Sequence, residues 1–305
     1  MPKKIHSKVG IVILTYNSEK YISNCLESIL HNDYKAFTCV VVDNNSTDDT
    51  VSIVHNKYPY IKLLKNKANN GYAAGNNHGI RYLLKIKNIS YILILNPDTL
   101  ANKNLIKELT RFMYNTPDAG VTGPIITYAH NPNKIWYAGG ILNKLFLYTK
   151  HQYMDTFLIN NIYVSEKTDF VTGACMMIRA SVLKKTGLLP IDYFMYYEDV
   201  DFCQKVYKSG YSCYLLAKPL VRHHVSGSVG NVGSNELTPF RAYYYARNPF
   251  IYIKKNVKGI YKITNFIGQF FIRFPYYTFQ MAMTGNFRSI ISYLKGMKDG
   301  MQFKF

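Results

Sequence analysis

Residues 91–100 read YILILNPDTL. Five apolar residues, Tyr91–Leu95, run without interruption and stop at Asn96-Pro97-Asp98. A short continuous apolar run closed by a turn signal predicts a strand buried on both faces. A turn explains the proline. It does not explain why other strand ends along this chain also finish in polar residues.

The same pattern recurs upstream. Val9–Leu14 runs into Thr15-Tyr16-Asn17, and Cys39–Val42 runs into Asp43-Asn44-Asn45. Ile61–Leu64 reads as a further short strand. Between these runs lie helical stripes: Ile22, Cys25, Leu26 and Ile29, then Val51, Val54 and Tyr58 behind a capping-box-like Ser46-Thr47-Asp48-Asp49. The turn signal Asn70-Gly71 precedes a helix expected over Ala73–Lys87, carrying Ile80, Leu83 and Leu84. Helices are also expected over Leu105–Tyr114 and Glu198–Tyr207, the latter with Val200, Cys203 and Tyr207 on one face. DFVTGACMMIR, residues 169–179, reads as a strand around a glycine kink. Few other strands can be placed between residues 120 and 180. Apolar strands alternating with amphipathic helices predict an α/β fold with a mostly parallel sheet covered on both faces.

The 305 residues carry 37 Lys and Arg against 18 Asp and Glu, a net charge of +19 that favours an anionic partner. Residues 240–305 differ from the rest. They hold eleven basic residues and one acid, Asp299, with aromatics interleaved, as in RAYYYARNPFIYIKKN. This divides the chain into a main domain, residues 1–240, and a basic, aromatic-rich helical extension, residues 241–305. No apolar run reaches the ~18–20 residues of a membrane-spanning helix, so the extension suits amphipathic helices lying in an anionic interface. Neither an RNP-like nor a helix-turn-helix pattern accompanies the charge, which argues against a nucleic-acid partner. Cys25, Cys39, Cys175, Cys203 and Cys213 form no C-x-x-C pair and read as reduced core residues of a cytosolic protein. The basic start MPKKIHSK is followed by too short an apolar run for a signal peptide.

Open parallel sheets bind ligands at the carboxyl ends of their strands. Here those ends offer Asx residues. They carry neither the glycine fingerprint of a dinucleotide site nor a P-loop, which argues against an NAD enzyme and a P-loop NTPase.

Six segments together resemble the inverting GT-A glycosyltransferases of family 2, most closely their bacterial rhamnosyltransferase-like branch. They are VGIVILTYNSEKYISNCLESIL, VVVDNNSTDDT, NNGYAAGNNHGI, LNPDT, FVTGACMMIR and YYEDVDFCQKVYKSGY, in that order over roughly residues 8–255. The resemblance implies a nucleotide-diphosphate sugar donor held by Thr15, Tyr16, Asn17, Asp43, Asn44, Gly71, Gly75, Asn77, Asn96 and Asp98. Asp43 would accept from a pyrimidine N–H, since a carboxylate is acceptor-only. Asp98 matches the last residue of the family's D-x-D, which binds Mg²⁺ or Mn²⁺ on the diphosphate; Asn96 stands where the first carboxylate would be. His223 or His224, after KPLVR and before Ser226-Gly227-Ser228, matches the family's metal histidine, with His223 preferred. Within EDVD, residues 198–201, Asp199 takes the general-base position. Gly173, Ala174, Glu198 and Arg247 fall on the acceptor side. The expected activity is transfer of a sugar, rhamnose among the candidates, to a glycan or lipid-linked glycan of a surface polysaccharide. It would take place on the cytoplasmic face of the membrane. The alternatives are a sugar nucleotidyltransferase and a non-catalytic nucleotide-sugar-binding protein.

Overall fold

The computed structural model describes residues 7–159, 163–225 and 237–305. The expected strands form as β1 (Lys8–Thr15), β2 (Phe37–Asp43), β3 (Lys62–Lys65) and β4 (Ile89–Leu95), followed by a short β5 (Thr99–Ala101). The next strands are β6 (Ala119–Tyr128), β7 (Ile135–Tyr137), β8 (Gly140–Asn143), β9 (Tyr148–His151), β10 (Glu166–Lys167), β11 (Cys175–Arg179) and β12 (Ser212–His223). The main sheet runs β10-β12-β6-β11-β4-β1-β2-β3, with β5 on β12 and β7 on β6; β8 and β9 pair separately. Strands β3, β2, β1 and β4 are mutually parallel, as expected. Strand β11 lies antiparallel between β4 and β6, so the sheet is mixed. β11 is the C-terminal part of the segment that the sequence reads as a kinked strand.

Helices α1 (Ile22–Leu30), α2 (Thr50–Lys57), α3 (Gly71–Leu84), α4 (Leu105–Asn115), α5 (Ala180–Thr186) and α6 (Glu198–Lys208) cover this sheet. The α1 stripe Ile22, Cys25, Leu26 and Ile29 is buried completely. The capping box before α2 does not form. Ser46 turns back to hydrogen-bond Asp43, and Asp48 instead accepts from the Thr50 amide and hydroxyl. Helix α3 begins two residues earlier than periodicity alone suggests, at Gly71. There φ is +85°, and a side chain would collide with the Phe194 backbone. All five cysteines are free and buried, in keeping with the core role expected of them.

The extension comprises α7 (Pro239–Asn256), α8 (Ile260–Gly268), a π-helical turn (Gln269–Arg273), α9 (Phe274–Met283) and α10 (Phe287–Gln302). Composition changes at residue 241, but the backbone passes that point inside α7. Ile251, Tyr252 and Ile253 of α7 join the main core, while its Ala242, Ala246 and Phe250 form a second cluster with Met281, Tyr293 and Met297. Gly296 and Gly300 bring α10 onto the α7 backbone: a Cβ at either would collide with the carbonyl of Tyr243 or Arg247. Among the described residues, no helix is long and apolar enough to cross a membrane.

Candidate active site

Parallel registry puts Thr15 opposite Asp43, and Ile13 opposite Leu95, so the ends of β1, β2 and β4 share one edge of the sheet. Thr15 Oγ1 donates to Asp43 Oδ1 (3.1 Å), which also accepts from Ser46 Oγ (2.5 Å); Asp43 Oδ2 accepts from the Ser46 amide (3.0 Å). Asp43 is thus buried and held in one orientation by two chain segments. Asn17 adopts a left-handed conformation (φ 49°), donates its amide to Ser46 Oγ and accepts from the Thr47 amide. Tyr16, next to it, is exposed at the edge.

Asn44 ties this edge to the segment before α3. Its Nδ2 donates to Asn69 Oδ1 and the Gly71 carbonyl (both 3.1 Å), and its Oδ1 accepts from Asn66 Nδ2 (2.7 Å). Gly75 lets α3 lie against Leu14 and Asn44. The buried side-chain amide of Asn77 brackets Leu189, donating to its carbonyl (2.8 Å) and accepting from its N–H (3.1 Å). Both residues place the helix that borders the site.

A hydrogen-bonded chain then crosses the cleft. Tyr72 donates its hydroxyl to the Gly173 carbonyl (2.6 Å), and a Cβ at Gly173 would strike that phenol. The Gly173 amide donates to Asp199 Oδ2 (3.1 Å), and the Ala174 carbonyl accepts from the Asn96 amide (3.0 Å). The residues 173–174 therefore connect the end of β4 to the start of α6. Sequence reasoning quoted Tyr72 within NNGYAAG but gave it no part. Its signal is weak, since a tyrosine there reads equally as core.

Two residues beyond Asn96, the buried Asp98 meets His223 at the end of β12: Nε2 lies 3.1 Å from Oδ1. Adjacent ligands around an octahedral Mg²⁺, each about 2.1 Å from the ion, stand about 3 Å apart. The spacing would let both atoms reach one divalent cation, and an imidazole from another strand would then stand in for the missing first carboxylate of D-x-D. His224 uses its backbone amide to reach the Asp98 carbonyl, while its ring rests on Tyr21 (centroids 5.0 Å). No cluster of three or more candidate metal ligands occurs among the described residues, so phosphate oxygens would have to complete the shell. Trp136 stands edge-on to His223 (4.4 Å) and His151 (4.8 Å); burial pulls the His151 imidazole down to about 4, keeping it neutral. Neither neighbour was legible in the sequence. Ser226-Gly227-Ser228 lies outside the described residues.

Asp199 sits in the first turn of α6, where the helix dipole favours an anion. Burial raises its carboxyl above the usual range, opposed by hydrogen bonds from the Gly173 and Val200 amides, the latter 2.8 Å from Oδ1. Glu198 is raised further, first by burial and then by the Asp199 charge, and its buried Oε2 has no hydrogen-bond partner. Of two neighbouring carboxyls, the one that accepts two N–H bonds ionises first. Asp199 is then the anion and Glu198 the neutral acid. Asp201 belongs elsewhere: fully buried, it pairs with Lys255 (3.0 Å) and accepts from Asn256 Nδ2 (3.0 Å).

The turn before α6 is strained. Tyr196 and Tyr197 have φ of 66° and 73°, in the left-handed region that costs a residue with a side chain of order 1–3 kcal/mol. Arg247 borders a cavity of about 320 Å³ beside this turn, lined also by Asn70, Asp192, Phe194 and Tyr244. Its Nη1 donates to the Asp192 carbonyl (3.3 Å) and to Asn248 Oδ1 (3.2 Å).

A sheet whose strand ends hold Asx residues, a carboxylate–imidazole pair and an acidic helix start defines a nucleotide-sugar transferase architecture. Residues 10–187 match glycosyl transferase family 2, and the chain belongs to that family. It is a glycosyltransferase. A low-salt glycan biosynthesis hexosyltransferase of Haloferax volcanii is 32% identical over 65% of this chain and 61% of its own length. The N-acetylglucosaminyl-diphospho-decaprenol L-rhamnosyltransferase of Mycobacterium tuberculosis is 25% identical over 74% and 79%. Among solved structures, the mannosyltransferase PcManGT from Pyrobaculum calidifontis, in complex with GDP-Man and Mn²⁺, superposes with a TM-score of 0.56. It covers 99% of this chain and 77% of that one at 14% identity, and so shares the fold.

Proposed function

We propose that the protein is an inverting glycosyltransferase that moves a sugar from a nucleotide-diphosphate donor, dTDP-rhamnose being the first candidate, onto a lipid-linked glycan at a membrane surface. The single observation that carries this reading is the chain of contacts from Asp43 through Asn44, Gly71 and Tyr72 to Gly173 and Asp199. A side branch runs from Ala174 to Asn96 and on to Asp98. This network ties together segments that carry three carboxylates far apart in sequence.

In this reading Tyr16, Asn17 and Asp43 receive the base and ribose. Asn44, Gly71, Gly75 and Asn77 shape that edge from behind. Asp98 and His223 would hold Mg²⁺ or Mn²⁺, which would supply counter-charge to the leaving diphosphate. Asp199 accepts the proton of the acceptor hydroxyl as that oxygen bonds to the anomeric carbon and the bond to diphosphate breaks. Glu198, Gly173 and Ala174 form the acceptor side, and Arg247 offers a guanidinium to an acceptor diphosphate. The name of the mycobacterial relative, which acts on a diphospho-decaprenol, supports a lipid-linked acceptor.

The extension supports contact with an anionic membrane. Ile260, Ile263, Phe271, Phe279, Phe287 and Ile291 are exposed, with Lys258, Lys262, Arg288 and Lys295 exposed among them. Phe274, Pro275, Tyr276, Phe279, Ala282 and Ile290 line an open apolar groove of about 790 Å³. Apolar residues rimmed by cations are the chemistry of a helix lying in an anionic interface.

The test is transfer from dTDP-rhamnose, UDP-GlcNAc and GDP-mannose to prenyl-diphosphate-linked N-acetylglucosamine, with Mn²⁺ or EDTA. Metal-dependent transfer that inverts the anomeric configuration is the expected result. Retention of configuration, or release of pyrophosphate from a nucleoside triphosphate plus sugar 1-phosphate, would overturn it.

A further inference from the structure

The left-handed pair Tyr196–Tyr197 stands immediately before Glu198 and Asp199, and residues of the extension hold it. Asn248 of α7, completely buried, donates both Nδ2 hydrogens to consecutive carbonyls, Met195 (2.6 Å) and Tyr196 (2.9 Å). Arg241 Nε reaches the Tyr196 hydroxyl (3.1 Å). Arg273, in the π-helical turn, donates Nη1 to the Tyr197 hydroxyl (2.8 Å) and Nη2 to the Tyr245 carbonyl (3.2 Å), with its guanidinium 5.3 Å from the Tyr277 ring centroid. Lys255 pairs with both Asp192 and Asp201, on either side of the turn. Backbone held in a sparsely populated region persists only where its surroundings over-determine it. Here those surroundings come from outside the family-matched residues 10–187.

We propose that Asn248 and Arg273 are positioning residues: acting through Met195, Tyr196 and Tyr197, they set where the Asp199 carboxylate stands relative to the acceptor. This rests on reading Asp199 as the base. The extension thus grips this turn and, through Asp201, helix α6 behind it, so in this reading it is part of the catalytic apparatus as well as a surface. Neither side chain needs to touch substrate. Asn248 is the stronger of the two, because one amide nitrogen fixes two successive peptide planes.

The experiment uses the full-length chain and two variants. Asn248→Asp keeps the volume but cannot donate to the two carbonyls. Tyr197→Phe keeps the ring but loses the hydroxyl that Arg273 holds. Turnover is followed as nucleoside diphosphate released from dTDP-rhamnose, UDP-GlcNAc and GDP-mannose, and nucleotide affinity as dTDP, UDP or GDP binding with Mn²⁺. In Asn248→Asp the expected kcat loss is about 10–100-fold, the scale of a base misplaced by about an ångström. Donor KM and nucleotide affinity should stay within about twofold, because the metal pair and the β1–β2 edge are untouched. Tyr197→Phe should show the smaller loss of the same kind. In an Asp199→Asn background, Asn248→Asp should add less than about twofold, since two residues acting as a unit are non-additive.

A lowered melting temperature with wild-type kcat, or a loss that multiplies in full in the Asp199→Asn background, would overturn the proposal. Should Asn248→Asp not fold, Tyr197→Phe decides it by the same criteria. Wild-type turnover in Asp199→Asn alone strikes the reading of the base, a different failure, and takes the proposal with it.

Discussion

Helix α1 and helix α8 carry the same kind of stripe, and the fold treats them oppositely. Ile22, Cys25, Leu26 and Ile29 of α1 are completely buried against the sheet. In α8, Ile260 is 65% exposed, Ile263 58% and Ile267 44%, and Phe271 in the next turn reaches 76%. Helical periodicity announces that one face needs an apolar partner. It does not say whether that partner is the chain itself. Two amide side chains of α8 and the π-turn face inward instead: Asn265 donates to the Lys144 and Leu145 carbonyls, and Gln269 to those of Phe146 and Leu147. Phe266 still packs on Phe250 (ring centroids 5.6 Å), but the isoleucines of this segment stay outside.

The comparison can be broken by one pair of substitutions. Ile22→Ala should cost about 2–5 kcal/mol of unfolding free energy by opening a cavity. Ile263→Ala should stay within about 0.5 kcal/mol, as a surface change. Equal losses in denaturant titrations would mean that α8 packs like α1. Gly296→Ala sharpens the picture where the extension does pack. Its methyl group meets the Tyr243 carbonyl, and overpacking of this sort costs about 1–3 kcal/mol. The exposed face has its own readout. Phe271→Glu with Phe279→Glu should reduce co-sedimentation with vesicles rich in phosphatidylglycerol and leave the melting temperature within a few degrees. Unchanged sedimentation would remove the membrane from the account. A deletion is a poorer probe, because losing residues 256–305 also removes Arg273 from Tyr197.

The smallest effect concerns Glu198. Its native carboxyl titrates above the unfolded value of about 4.3, so the folded chain keeps a proton that the unfolded chain releases. The stability linked to it is complete below about pH 4 and is lost as the pH rises through the native value. Glu198→Gln should therefore gain on the wild type as the pH rises above about 4 in melting experiments. A difference that does not change with pH contradicts a raised Glu198.

Much of this architecture was legible in the sequence. The strands β1, β2 and β4, the stripes of α1 and α6, and the polar strand ends are local patterns, readable within a dozen residues. What escaped depends on pairing across the chain. β11 lies antiparallel because it leaves the cleft in the direction opposite to β4, and no local pattern encodes that direction. Asn77 was readable as part of the glycine-asparagine segment, but not its hold on Leu189, 112 positions away, which takes both ends of its amide. Trp136 and His151 gather on His223 only once β7, β9 and β12 are in place. Asn248 was visible beside Arg247 in the sequence, but not its hold on Met195 and Tyr196.

The central claim is that Asp199 is the base of the transfer. Burial raises its carboxyl, so its proton leaves above the ordinary aspartate range, and the acid limb of kcat should lie correspondingly high. The decisive measurement is kcat and nucleotide affinity of Asp199→Asn in purified, folded protein. The account predicts unchanged nucleotide binding with turnover lowered by at least about 10², the worth of a positioned base. Turnover close to the wild type would contradict it.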